Sequence, residues 1–161
     1  KIKYSDDSGP RLYRRSLYTF WRRSLGPPNM FDEAPRDICS VRPQRTNTPL
    51  HALTLLNDET YAEAVRVWAE RLLASPGEDT NRLAHGFTLL LTREPTRQER
   101  DLLLSSLNRA RQYYRKNPAR AREYGNVGRH APAAGLDPLE VAAWGAITSL
   151  LLNCDEALTR E

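Results

Sequence analysis

One short stretch of the sequence combines residue types that could bind an anion. The stretch runs from a loop into a short helix. Its candidate residues carry guanidinium, amide, hydroxyl, imidazole and carboxylate groups: Arg42, Arg45, Asn47, Thr48, His51 and Asp58. Free N–H groups and the dipole favour an anion at a helix N-terminus, and arginine can grip a carboxylate or phosphate. A structural interpretation remains open, in which Thr48 caps the helix, Asn47 forms an Asx turn and Arg45 bonds loop carbonyls.

A second group of residues could form an interface near the start of the chain: Arg14, Arg15, Tyr18 and Arg22. Residues 1–45 carry a charge of +5, whereas the whole chain carries +4. Basic residues beside aromatic ones can contact nucleic acid or an acidic glycan, but arginine stems also cover apolar surface on a neighbouring domain. We favour the neighbouring domain over nucleic acid.

The histidines, cysteines and remaining carboxylates do not form a known catalytic pattern. The three histidines lack metal-ligand spacing, and Cys39 and Cys154 form neither a C-x-x-C nor a haem motif. These cysteines could form a disulfide or be separately buried thiols. Asp155 and Glu156 could join a carboxylate pair, although capping and an arginine partner are favoured. We therefore predict no metal and no cofactor, and lean against an enzyme in this chain.

Helical spacing of apolar residues predicts the elements that position these groups. Helices are expected at residues 11–25, from 49, and over about 58–74, 80–91, 97–116 and 138–152. Thr96 with Glu99, and Asp137 with Glu140, are predicted to cap the last two. Strand patterns are absent from the sequence. The expected fold is all-α: an irregular bundle of about six helices with a long ordered loop near residues 26–47. At 161 residues, we expect one domain over 1–161.

The expected core follows from the same periodicity. The helix from residue 138 is apolar nearly all round, so Trp144, Ile147 and Leu151 should lie at the centre of the bundle. In the short helix from residue 49, the leucines at 50, 53 and 56 are expected to face inwards. The longest uncharged run, between residues 140 and 155, is too short for a membrane span.

Three stretches of the sequence resemble a known family. They are RRSLYTFW at 14–21, RTNTPLHALTLLND at 45–58, and the segment from AAW at 142–144 to NCDE at 153–156. In order and spacing they resemble the C-terminal part of the planctomycete domain of unknown function 1553. His51 stands where the family usually has glutamine, and Cys154 where it usually has leucine.

The resemblance implies a context and no reaction. Such domains lie at the C-terminal end of large exported proteins that carry a companion domain, often a cytochrome-c-like module and sometimes a carbohydrate-binding one. The chain is thus expected to be a fragment of a multidomain, extracytoplasmic (periplasmic or secreted) protein. No catalytic residue can be transferred from the family.

Two classes of function follow as hypotheses. The first is an accessory or structural helical domain that binds a partner domain. The alternative is part of a polysaccharide-acting enzyme, or an acidic-glycan-binding module, whose site needs residues upstream of this chain. A flat apolar patch beside the helix at 11–25 would favour the first, and a deep polar cleft lined by Arg45, Asn47 and Asp58 would favour the second.

Overall fold

The computed structural model describes residues 7, 9–14, 41 and 48–159. The chain divides into two compact units, residues 1–46 and 47–161. In the residues described, the secondary structure consists of seven α-helices and one 3-10 helix, with no strand. The predicted all-α fold is confirmed. That residues 1–161 form a single domain stays a prediction.

In the first unit, the described residues include a 3-10 helix, Gly9–Tyr13, that has no buried residue. The sequence predicts an α-helix over residues 11–25, whereas residues 11–13 belong to this 3-10 helix. Tyr13, the last residue of this helix, is 54% exposed. Residues 15–25 lie outside the described part. So does the loop expected at 26–47, except for Val41, which is exposed rather than packed in a core.

The second unit contains all seven α-helices of the described chain. They are α1 Pro49–Asn57, α2 Glu59–Ala74, α3 Asp79–Leu91, α4 Arg97–Lys116, α5 Pro118–Gly125, α6 Pro138–Leu152 and α7 Asp155–Leu158. The helices predicted from residue 49 onwards correspond to α1–α4 and α6. The short helices α5 and α7 are additional.

Helix α6 lies at the centre of this unit and contacts α2, α3, α4, α5 and α7. Its apolar composition leaves no polar face to turn towards water, so it must be surrounded. Trp144 is 0% exposed, and Ile147 and Leu151 are buried beside it. The predicted centre of the core is confirmed.

Capping side chains start the helices where the sequence indicated. The hydroxyl of Thr96 accepts from the N–H of Glu99, whose carboxylate accepts from the N–H of Thr96, which completes a capping box at α4. Asp137 caps α6 by accepting from the N–H of Leu139. Glu140 takes no part in this cap, because its carboxylate pairs with Arg111 of α4.

Helix α1 differs from the prediction in the face that it buries. Its buried residues are His51 and Leu55, four positions apart on one side of the helix. Leu50, Leu53 and Leu56 fall on the opposite side and are 59%, 57% and 54% exposed. The expectation that these leucines face inwards is therefore wrong. Helix α1 packs on α2 through the side that carries His51.

Candidate functional site

The structure describes three of the six residues predicted to bind an anion. The hydroxyl of Thr48 accepts from the N–H of His51 (3.3 Å) at the start of α1. The carboxylate of Asp58 accepts from the N–H of Thr60 (2.9 Å) at the start of α2. These two caps lie at opposite ends of α1, which separates them by about 15 Å at 1.5 Å per residue. Arg42, Arg45 and Asn47 lie outside the described residues, and anion binding by the group stays a prediction.

His51 is the most buried of these residues. Its side chain lies on the inner side of α1 and is 8% exposed. Its Nδ1 atom has no hydrogen-bond partner within the described structure. Because the imidazole is buried, a ligand that approaches from solvent would not contact it.

Of the predicted interface residues, only Arg14 falls in the described structure. It directly follows the 3-10 helix and is exposed. Arg15, Tyr18 and Arg22 lie outside the described residues. Their role at an interface stays a prediction.

The turn between α3 and α4 builds a second candidate site. Helix α3 ends at Leu91 because Thr92 adopts a left-handed conformation (φ 58°) that reverses the chain. The guanidinium of Arg93 then donates to Glu99 and to Glu156, each at 2.7 Å through Nη2. It also lies 4.8 Å from the centre of the Phe87 ring. Arg93 thus connects the turn to α3, α4 and α7. The arginine partner predicted for Glu156 is confirmed.

An open polar cleft of about 420 Å³ lies beside this turn, and we call it the α3–α4 cleft. Its lining residues are Thr80, Asn81, Ala84, His85, Thr88, Glu94 and Arg100. Asn81, His85 and Thr88 follow i, i+4, i+7 spacing, which aligns them on one side of α3. Glu94 comes from the turn and Arg100 from the beginning of α4.

Two polar atoms of the cleft residues are buried without a partner among the described residues. They are the hydroxyl oxygen of Thr88 and the Nε atom of Arg100. A buried polar group without a hydrogen bond is costly, so such atoms are normally satisfied by solvent or a ligand. Both atoms are covered by protein, so a ligand satisfies them only where the side chains over them move aside.

Sequence reasoning did not find this cleft. In the sequence, His85 lacks metal-ligand spacing to the other histidines, and Arg100 belongs to no motif. The sequence feature that could have indicated the cleft is the i, i+4, i+7 spacing of the polar residues at 81, 85 and 88. This spacing does not identify a partner, because the turn that brings Glu94 and Arg100 alongside these residues forms only in the folded chain.

The ion pairs of this turn predict a pH dependence. Hydrogen bonds from Arg93, and then from the N–H and hydroxyl of Thr96, lower the pKa of Glu99 to about 2 from 4.5. A carboxyl with a lowered folded pKa stabilises the fold above its unfolded pKa, and this contribution is lost as the pH falls from about 4.5 to about 2. We expect Glu99→Gln to lower the melting temperature at about pH 6 and to match the wild type near pH 2.

Thermal unfolding followed by circular dichroism across this pH range measures the effect. Glu123→Gln, at an exposed glutamate on α5, is the control and should run parallel to the wild type. A difference between wild type and Glu99→Gln that stays constant from about pH 6 to about pH 2 would contradict the prediction.

Two features are absent from the part of the chain that the structure describes. They contain no helix with the length and apolar character needed to cross a membrane. They also contain no group of three or more histidine, cysteine or carboxylate side chains placed to hold a metal ion. Cys154 is a half-buried free thiol.

Comparison with known proteins gives one family match. The family described as PSD1, a protein of unknown function (DUF1553), matches residues 1–107. These residues include α1, α3 and the turn that leads into α4. No curated protein and no solved structure matches the chain.

Proposed function

Because the chain belongs to the DUF1553 family of proteins of unknown function, we propose its function from its surfaces. It is an accessory helical domain that binds a neighbouring domain of the same exported protein. The extracytoplasmic location and a cytochrome-c-like neighbour belong to this proposal and rest on the resemblance of its sequence motifs.

The exposed face of α1 carries the proposal, and we call it the leucine face, formed by Leu50, Leu53 and Leu56. Each of these side chains is more than half exposed. They recur at three-residue spacing along a helix that contains no charged residue. Single exposed leucines are ordinary on protein surfaces, whereas a contiguous group on an uncharged helix is typical of a docking surface.

Charged side chains brace the second unit, which carries this face. Arg111 connects α3 to α6 by pairing with Asp79 and Glu140. Arg66 of α2 donates to backbone carbonyls of the loop that follows α5. These side chains hold helices and loops in place, which suits a rigid support for binding.

The size of the leucine face favours a tethered partner over a free one. A stable interface between separate proteins buries about 1,200–2,000 Å², which is more than three leucine side chains provide. Burying one leucine fully contributes about 1.5–3 kcal/mol, so three half-exposed leucines supply only a few kcal/mol. A domain on the same polypeptide needs no more, because tethering raises its effective concentration to about the millimolar range.

The partner surface should be apolar and uncharged where it meets α1. A charged group buried against these leucines would lose its hydration without gaining a partner. We therefore expect an apolar helix or sheet face of the neighbouring domain to cover them.

Site-specific photo-crosslinking in the full-length protein tests the proposal. A photoreactive amino acid replaces Leu53, and mass spectrometry identifies the peptide that it captures. The matched control places the same amino acid at Leu89 of α3, which is 60% exposed. We expect position 53 to capture an apolar segment of another domain of the same polypeptide, at several times the yield of position 89.

Two outcomes would overturn the proposal. In the first, positions 53 and 89 crosslink to the same extent, so the leucine face is ordinary surface. In the second, position 53 captures a second copy of this chain, and the face is then a self-association surface.

A further inference from the structure

The geometry points to the α3–α4 cleft as a binding site for a small hydroxylated carboxylate, the chemistry of a uronic acid. The cleft lies on α3 and the start of α4, away from the leucine face of α1. This inference stands independently of the proposed partner binding, and either can fail alone.

Arg100 provides the charge that would recognise the carboxylate. Arg66, Arg93 and Arg111 each pair with a carboxylate of the protein. Half-buried Arg100 makes no ion pair among the described residues, and its Nε is buried without a hydrogen bond. A guanidinium binds a carboxylate through two parallel N–H donors, and the two terminal Nη atoms of Arg100, which are not among the buried atoms, can supply them.

The opposite side of the cleft suits hydroxyl groups. Thr88 contributes a buried hydroxyl that both donates and accepts, and its oxygen lacks a partner in the part of the chain described. Asn81 and His85 add an amide and an imidazole on the same side of α3. These neutral groups can bond alcohol oxygens in either direction, as sugar hydroxyls require.

Glu94 distinguishes a carboxylate from a phosphate. Its carboxylate lines the same cleft as Arg100. A ligand with about two negative charges would be repelled by Glu94 and only partly balanced by one arginine. A singly charged ligand is balanced by Arg100, while Glu94 can accept a hydrogen bond from one of its hydroxyls.

The dimensions agree with a ligand of this class. At about 420 Å³, the cleft lies in the lower part of the range of about 300–1,000 Å³ found for small-molecule sites. Its lining is polar except for Ala84. This composition disfavours a purely apolar ligand, which would leave the lining groups unsatisfied.

Isothermal titration calorimetry with D-glucuronate tests the inference on the full chain. Three comparison probes separate the parts of the ligand: glucose lacks the charge, acetate lacks the hydroxyls, and inorganic phosphate carries more charge. We expect glucuronate to bind more tightly than all three. Absence of glucuronate binding, or equal binding of any one of the others, would overturn the assignment.

Variants locate the bound ligand. Arg100→Gln should weaken glucuronate binding by about 10-fold or more, because a charge-assisted pair is lost. Thr88→Val should weaken it by about 3-fold to 10-fold through loss of one hydroxyl. Arg97→Gln, at an exposed arginine one turn earlier, is the control and should leave binding unchanged.

Thermal melts of the same variants separate binding from folding. The cleft residues lie at the periphery of the core, so all three variants should melt close to the wild type. Unchanged glucuronate affinity in both Arg100→Gln and Thr88→Val would place the ligand elsewhere and overturn the site.

Discussion

Replacing Arg66 with alanine is expected to destabilise the second unit by about 3–5 kcal/mol, the range for breaking a buried ion pair. The side chain of Arg66 is 0% exposed and pairs with Glu70 one turn further along α2. Its loss would leave the Glu70 carboxylate, which is 5% exposed, without its cationic partner. An uncompensated buried charge is the main source of the expected cost.

Arg66 also fixes the loop that follows α5. Its Nε donates to the carbonyl of Val127 at 3.1 Å, and its Nη2 donates to the carbonyl of His130 at 2.6 Å. Glu63 binds the same loop by accepting from the N–H of His130 at 3.0 Å. Two adjacent turns of α2 thus hold one loop segment through side-chain-to-backbone bonds.

Urea unfolding measures the change in stability, and hydrogen exchange at His130 reports the loop separately. Arg71→Ala is the matched control, since Arg71 is an exposed arginine on the same helix and should change stability by about 0.5 kcal/mol or less. Equal free energies of unfolding for the two variants would contradict a structural role for the buried pair.

Replacing Trp144 with alanine is expected to cost about 3–5 kcal/mol, the range for removing a large aromatic side chain from a core. Trp144 is 0% exposed at the centre of the cluster that joins α2, α3, α4 and α6. The cavity would border several helices at once, so local collapse could not fill it.

Trp144→Phe should cost clearly less than Trp144→Ala. The Nε1 atom of Trp144 is buried and has no hydrogen-bond partner within the described residues. Phenylalanine keeps most of the ring contacts and removes this unsatisfied donor, which offsets part of the lost packing.

The control for both variants is Leu150→Ala on the same helix. Leu150 is 48% exposed, so its truncation should cost about 1 kcal/mol or less. Chemical denaturation gives the three free energies. If Trp144→Ala unfolds no more easily than Leu150→Ala, the bundle is not organised around the tryptophan.

The sequence by itself determined where α1–α4 and α6 begin and which helix is central. Thr48, Thr96 and Asp137 cap α1, α4 and α6 as predicted, because a cap joins atoms only two or three residues apart. The position of Trp144 was equally predictable, since a helix that is apolar on every side must be surrounded.

Only the tertiary structure decided which side chains contact another element and which remain open to solvent. Leu50, Leu53 and His51 all lie in a short helix with apolar residues around it, and only the packing of that helix in the folded chain selects His51 for burial. Arg66 and Arg100 look alike in the sequence, yet one meets a carbonyl 61 residues away and the other lines an open cleft. Such partners are distant in the chain, and local periodicity specifies the faces of a helix but not the neighbour that each face will meet.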